Sequence, residues 1–410
     1  MRTLSDVSVT DRRVAVRVDV NSPVAVRDDD GPTPAAAPTE RVRVADDARL
    51  RAHVDTLSEL LDRDARVAVV AHQGRPGGDE FTSLAPHADR LDDLLDHPVD
   101  HVDATFSAAA RDRIAALDPG TAVVLENTRF YSEEYMEFPP ARAARTHLVA
   151  GLAPALDLYV GDAFAAAHRS QPSLVGLPTR VPGCAGRVME RELAVLGDIE
   201  TTDTPRVFVL GGVKIDDSLS VARSVLERGV ADTVLTAGVL GNCLLAARGI
   251  DVGDAGTETI HDRGGTDPVG RAGTLLAEFG DRIETPVDVA VADGGRREMA
   301  VEDLPGDGAP MDIGERTVAA YRSILADAGT AVLNGPAGVF EDDRFVAGTR
   351  GLFGAVAEAG YSIVGGGDTA AAIRRFGIEG FDHVSTGGGA ALALLSGESL
   401  PVVEVLRDDD

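Results

Sequence analysis

At 410 residues the chain is too long for one ordinary hydrophobic core, and a 44% hydrophobic content can furnish two. A net charge of −28 argues against nucleic acid as a partner, because a duplex would be repelled. No apolar run is long enough to span a bilayer, no basic-then-apolar leader opens the sequence, and Cys184 and Cys243 lie outside any metal-ligand spacing. A cytoplasmic protein in a reducing compartment, with no membrane partner, is the expectation.

The acidic runs Asp28-Asp29-Asp30, Asp92-Asp93 and Asp408-Asp409-Asp410 read as solvated surface. Together with many alanines, no tryptophan and almost no lysine, they suggest adaptation to high salt, where screening suppresses self-repulsion. A DNA mimic or another acidic partner protein is the alternative reading of the charge. In such a chain, any cluster of positive charge needs a reason.

In chain order, Val14–Val20 alternates and predicts a strand running into the turn Asn21-Ser22-Pro23. The Pro-rich stretch 28–40 predicts a loop. Spacing from Asp46 to Leu61 predicts one helix, with Leu50, Val54, Leu57 and Leu61 on one face and Arg49 off it. A buried strand over Arg66–Ala71 ends in His72-Gln73-Gly74-Arg75-Pro76, and a helix follows over 84–95. The strand Ala122–Leu125 ends in Glu126-Asn127-Thr128-Arg129-Phe130. The strand Leu156–Val160 ends in Gly161-Asp162-Ala163-Phe164, with His168-Arg169 just beyond. Strand, loop and helix repeated in this way predict a doubly wound parallel sheet. Parallel strands place their carboxyl ends on one edge, so His72, Arg75, Arg129, His168 and Arg169 should gather there, with Arg49 joining from its helix. A small polyanion held by bidentate contacts is expected; scattered surface arginines are the alternative.

Gly183 to Leu196 predicts a single helix between the domains. A second α/β series begins at Pro205. Its first strand, Val207–Leu210, ends in Gly211-Gly212-Val213-Lys214, and Lys214 is the only lysine among 39 lysines and arginines. The carboxyl ends of such strands are where α/β proteins bind ligands, and a compact ammonium can follow a phosphoryl group as it moves. Further strands are predicted at Thr233–Leu235, Pro286–Val291, Ala331–Leu333, Ser362–Val364 and His383–Thr386. Three of these precede glycine-rich turns, at 334–338, 365–369 and 387–390, whose free amides suit phosphate. Any one glycine triplet taken alone is equally a tight turn. Neither a Walker A pattern nor G-x-G-x-x-G stands in its required frame.

Taken together, Arg17-Val18-Asp19-Val20-Asn21-Ser22-Pro23, His72-Gln73-Gly74-Arg75-Pro76, Leu125-Glu126-Asn127-Thr128-Arg129-Phe130, Gly161-Asp162-Ala163-Phe164 with His168-Arg169, Gly211-Gly212-Val213-Lys214, Asn334-Gly335-Pro336, Gly365-Gly366-Gly367-Asp368-Thr369 and Ser385-Thr386-Gly387-Gly388-Gly389-Ala390 resemble the phosphoglycerate kinases, in that family's order and over almost the whole chain. The resemblance implies an α/β fold of two doubly wound parallel-sheet domains joined by a long helix and hinge. Residues 1–183 would be a 3-phosphoglycerate-binding domain, 184–199 the interdomain helix, 200–392 a nucleotide-binding domain, and 393–410 a tail returning to the first. It implies a monomer that reversibly transfers a phosphoryl group between MgATP and the carboxylate of 3-phosphoglycerate, giving 1,3-bisphosphoglycerate and ADP. By the matched motifs, Asp19, Asn21, Arg49, His72, Arg75, Arg129, His168 and Arg169 would bind phosphoglycerate. Lys214, Gly366, Gly367, Asp368 and Thr369 would hold nucleotide phosphates, with Asp368 approaching Mg2+ and Glu341 holding the ribose. Arg49 and Lys214 would be catalytic. The chain departs from the family in carrying Ser218 where many members have a second lysine, Val20 and Ser22 for Phe and Val, and Gln73 for Leu. Ser218 resembles the archaeal branch.

The nucleophile of that reaction is already an anion, so no general base is needed. This agrees with the lack of an obvious Ser-His-Asp or paired-carboxylate site. Catalysis would rest on positioning and electrostatics. Two other classes stay open: a non-catalytic nucleotide- or phosphate-binding protein that has kept the fold, and a Rossmann-type dehydrogenase, which should bind nicotinamide.

Overall fold

The computed structural model describes residues 1–26, 33–37, 39–306 and 308–407; the acidic runs at 28–30 and 408–410 and part of the 28–40 loop lie outside them. The chain divides into two compact units, Met1–Ala194 with Ser399–Asp410, and Val195–Glu398.

The first unit contains β1 (Arg13–Arg17), β2 (Val24–Val26), β3 (Val42–Val44), β4 (Arg66–Val70), β5 (Val99–Val102), β6 (Thr121–Leu125), β7 (Leu158–Gly161) and β8 (Gly183–Ala185). Six of these form one parallel sheet in the order β5-β6-β4-β1-β7-β8. Val14, Ala15 and Val16 in β1 and Val67, Ala68 and Val69 in β4 are buried on both faces, which is why these strands read as unbroken apolar runs. Burying each valine stabilises the fold by roughly 1.5–3 kcal/mol. Arg13 and Asp157 clamp the starts of β1 and β7 with guanidinium–carboxylate bonds of 2.7 and 3.0 Å.

Two expectations for this unit need correcting. The helix expected over 46–61 is two helices, Ala48–Ala52 and Val54–Asp62, parted at His53. The His53 ring is drawn into the sheet edge, where Nε2 accepts the Asp19 N–H at 3.0 Å and Nδ1 donates to Asp162 at 2.6 Å. Gly183–Ala185 is not helical but is the edge strand β8, paired to β7; the helix begins only at Arg187 and runs to Gly197. Two glycines let this edge pack closely on the returning chain. A Cβ at Gly161 or Gly183 would stand 3.0 or 2.9 Å from a Leu406 methyl on the helix Pro401–Arg407. The antiparallel hairpin of β2 and β3 had no prediction.

The second unit contains β9 (Arg206–Leu210), β10 (Thr233–Thr236), β11 (Ile283–Glu284), β12 (Asp288–Ala292), β13 (Arg296–Ala300), β14 (Pro310–Ile313), β15 (Thr330–Asn334), β16 (Ser362–Gly365) and β17 (His383–Val384). Its parallel sheet has the order β11-β10-β9-β15-β16-β17. The strand expected at 286–291 forms as β12, but outside the parallel sheet, as the centre of a separate antiparallel sheet, β13-β12-β14. Its apolar alternation could not distinguish the two placements. Cys184 and Cys243 are both buried and unpaired, and burial pushes their thiols up to about 12 and about 11. Among the described residues, no helix is long and apolar enough to cross a membrane.

Candidate active site

At the carboxyl edge of the first sheet, the loops after β4, β6 and β7 carry His72, Arg75, Arg129, His168 and Arg169, the loop after β1 carries Asp19 and Asn21, and Arg49 comes from the helix Ala48–Ala52. Each loop is held by buried amide and carboxylate groups rather than by regular structure. Asn127, fully buried, donates its amide N–H groups to the carbonyls of Gln73 and Thr82, each at 2.8 Å, and accepts the Gln73 N–H at 3.1 Å. Asn21 accepts the Gly74 N–H at 2.7 Å. Gly74 has φ +66, and a Cβ there would stand 2.6 Å from the Glu80–Phe81 backbone, so this turn requires glycine. Asp19 pairs with Arg49 and also accepts the Asn21 N–H at 3.2 Å.

The positive groups are close enough to perturb one another. Burial, then the neighbouring cation of Arg169, pushes the Arg129 guanidinium down to about 10. Its Nη1 donates to the Gly74 carbonyl at 2.7 Å, and its cation lies 5.6 Å from the Tyr135 ring centre. Burial and Arg75 lower Arg169 in the same direction. The His72 ring, 4% exposed, is held well below the ordinary histidine range by burial and by the cations of Arg17, Arg129, Arg169 and Arg49. Arg75 is exposed, with no partner among the described residues. His168 accepts from Arg169 Nε at 3.3 Å. The structure therefore gathers all eight predicted residues at this edge. Mutually repelling cations concentrated in so acidic a chain have the chemistry to hold a multiply charged anion.

In the second unit, three strand-end loops are stitched edge to edge. Gly211 N–H donates to the Asn334 carbonyl at 2.8 Å, Gly212 N–H to Pro336 at 2.7 Å, and Gly238 N–H to Ala337 at 3.0 Å. A Cβ on Gly211 would lie 2.5 Å from the Pro336 carbonyl oxygen, so the packing of these loops requires glycine here. Lys214 caps the helix Ile215–Glu227; it is exposed and, among the described residues, unpaired. Gly366, at φ +105, turns the chain into the helix Gly367–Phe376. Thr369 is turned inward to accept the Gly335 N–H at 2.9 Å, while Asp368 is exposed. Beside these loops lies a cavity of about 400 Å³. Val239, Met311, Val339 and Phe340 give it an apolar wall, and Glu341 and Asp368 also line it. Asp312 reaches it too, but its carboxylate is committed to Arg296 at 2.8 Å and to the Gly348 N–H at 2.9 Å.

The model of one protein family, described as phosphoglycerate kinase, matches residues 4–398. The chain belongs to the phosphoglycerate kinase family. It is 61% identical to the phosphoglycerate kinase of Natronomonas pharaonis over the whole of both chains. It is 60% identical to that of Halobacterium salinarum, over 99% of this chain and all of the relative. The crystal structure of the Pyrococcus horikoshii phosphoglycerate kinase superposes with a TM-score of 0.90 at 39% identity, covering 99% of this chain and 98% of that one. As a phosphoglycerate kinase, the chain transfers a phosphoryl group between ATP and 3-phosphoglycerate, a glycolytic reaction. Its acidic composition agrees with halophilic archaeal relatives at 60–61% identity.

The departures noted from the family now have surroundings. Gln73 is fully buried and acts as a clamp. Its amide donates to the carbonyls of Ser22 and Glu80 at 2.9 and 3.1 Å, and its oxygen accepts the Ser22 N–H and the His87 Nε2–H, both at 3.0 Å. Ser218 lies one turn along the helix from Lys214 and is buried at 4% exposure, so no second cation issues from that turn. The sequence reading missed Arg263, in the last turn of the helix Gly253–Arg263. Among the described residues it is the only cation lining the cavity, and it has no partner. No local motif marks it. Asp216, through the Gly265 N–H at 3.1 Å and Arg271 at 2.5 Å, and Arg223, through Glu278 at 2.5 Å, fasten the segment beyond it to the helix after Lys214.

Proposed function

We propose that the basic edge of the first unit holds 3-phosphoglycerate and the cavity of the second holds MgATP or MgADP. The single observation that carries this division is the contrast in chemistry. One unit concentrates partly buried, mutually repelling arginines. The other offers an apolar-walled cavity of about 400 Å³, within the range for small-molecule sites, beside glycine-rich turns.

In this reading Arg75, Arg129 and Arg169 hold the remote phosphate of phosphoglycerate, and Asp19, Asn21, His72 and His168 orient its carbon chain and carboxylate. Asp19 also fixes the Arg49 guanidinium, which presents its remaining N–H groups to the transferring phosphoryl. Lys214, in the second unit, offers its ammonium to the terminal phosphate of the nucleotide. Gly366, Gly367 and the helix they open give amide N–H groups to the nucleotide phosphates, Arg263 adds a cation, and Glu341 accepts a ribose hydroxyl. The chemistry needs no proton transfer to the nucleophile, only neutralisation of charge where the phosphoryl group moves.

Among the described residues, no group of three or more His, Cys, Asp or Glu could hold a metal by itself. Asp368, exposed and without a partner, fits a magnesium ion that takes one carboxylate and fills its remaining positions with phosphate oxygens and water. When bound, that ion neutralises nucleotide phosphate charge. We further propose a monomeric, cytoplasmic enzyme.

Isothermal titration of each ligand against Arg129→Met and Asp368→Asn tests the division. Arg129→Met should lose phosphoglycerate binding and keep MgADP, and Asp368→Asn should do the reverse. Loss of both ligands in either variant would contradict it.

A further inference from the structure

Arg17, on the last residue of β1, is fully buried. A buried guanidinium is expensive to desolvate unless its donors are used, and an apolar residue would fill the same volume at less cost. Its donors are used in three directions. Nε donates to the Ser173 hydroxyl at 2.9 Å, Nη1 to the Val18 carbonyl, and Nη2 meets His72 Nδ1 at 2.9 Å. Ser173 in turn donates its hydroxyl to the buried Glu134 at 2.7 Å, and its N–H bonds the same carboxylate at 2.6 Å. Glu134 and Ser173 thus lock the guanidinium in one orientation.

Arginine has only donors, so the ring nitrogen that faces it must accept. We propose that Arg17 is a positioning residue that holds His72 as the neutral Nε2–H tautomer, so that the ring presents one N–H donor to the phosphoglycerate anion. Nε2 has no partner among the described residues, which leaves it for a ligand. The charged groups facing the ring are the cations of Arg17, Arg129, Arg169 and Arg49, and each opposes its protonation. His72 then contributes direction rather than charge, while the arginines supply the charge. This inference rests on the placement of phosphoglycerate at this edge.

The test is the long-range ¹H–¹⁵N spectrum of the full chain labelled with ¹⁵N-histidine, in molar KCl. His72 is assigned among nine histidines by His72→Gln. The wild type should show His72 with a bare Nδ1 and a protonated Nε2, unchanged from pH 8 to pH 6, and Nε2 should shift when 3-phosphoglycerate is added. An Nδ1–H tautomer or an imidazolium at pH 7 would overturn the inference. The expected tautomer with no response to phosphoglycerate would leave Arg17's action on the ring standing and sink the placement of the substrate instead. In Arg17→Met the ring should sample both tautomers, with the KM for phosphoglycerate raised about ten- to a hundredfold and the KM for MgATP unchanged, and Arg17→Lys should restore part of the loss. If Arg17→Met does not fold, the wild-type spectrum alone decides.

Discussion

Replacing Arg129 by methionine should separate stability from binding. In the free protein this guanidinium is 5% exposed, and burial with its cationic neighbours lowers it from 12.5 to about 10. A depression of about 2.5 units, at about 1.36 kcal/mol each, means that the charged form opposes folding by about 3 kcal/mol. Its bond to Gly74 and its contact with the Tyr135 ring return about 1 kcal/mol each. The difference is about 1 kcal/mol in favour of the variant, and a methionine side chain fills most of the vacated volume. Urea unfolding without substrate, at constant molar KCl, should therefore show Arg129→Met equal to the wild type or slightly more stable. Phosphoglycerate binding should fall at least about a hundredfold, since a desolvated charge that meets an anion is worth several kcal/mol. Phosphoglycerate should then stabilise the wild type and leave the variant unmoved. A variant destabilised by more than about 2 kcal/mol with an unchanged KM would refute the reasoning, because Arg129 would then be a structural residue.

Three further outcomes are expected. His87 is buried and held at about 4 by desolvation, and its Nε2–H serves Gln73. The unfolded chain protonates this residue near pH 6.5 and the folded chain does not, so stability is full above 6.5 and falls as the pH drops toward 4. By pH 5 the loss is about 2 kcal/mol from His87 alone, with His72 acting in the same direction. Urea midpoints from pH 8 to 5 measure it, and His87→Gln should flatten that slope. Arg263→Ala should weaken MgADP binding about five- to thirtyfold and leave adenosine binding unchanged; equal effects on both would place Arg263 away from the phosphates. Gly211→Ala puts a Cβ 2.5 Å from the Pro336 carbonyl and should destabilise the second unit by about 1–3 kcal/mol, measured by urea unfolding.

The repeated alternation of strand, loop and helix was legible because buried parallel strands are short apolar runs with turn residues at their ends. β4 and β6 fall where Arg66–Ala71 and Ala122–Leu125 predicted them. β8 escaped because Gly-Cys-Ala carries no strand signal. Its identity comes from its pairing with β7 and from glycines that admit Leu406. The antiparallel placement of β12 is a tertiary fact that local alternation cannot encode. At the site, strand-end position and the family's motifs were enough to name the basic cluster. Residues that act through others were not legible. Arg17 reads as an ordinary motif arginine until its burial and its contact with His72 are seen. Arg263 lies at the far end of a helix with no motif, and His53 looks like one more helix residue until its ring is found bridging Asp19 and Asp162.

In the proposed function, a chain with a single lysine keeps it for the transferring phosphoryl group. The most direct measurement is turnover of Lys214→Ala beside the wild type, in a coupled assay with MgATP and 3-phosphoglycerate in molar KCl, with ATP binding and unfolding followed on both proteins. Lys214 is exposed and unpaired among the described residues, so its removal should leave the fold unchanged. Turnover should fall about 100- to 1000-fold, as for loss of one transition-state donor, with ATP still bound. Equal turnover in the two proteins would contradict the claim.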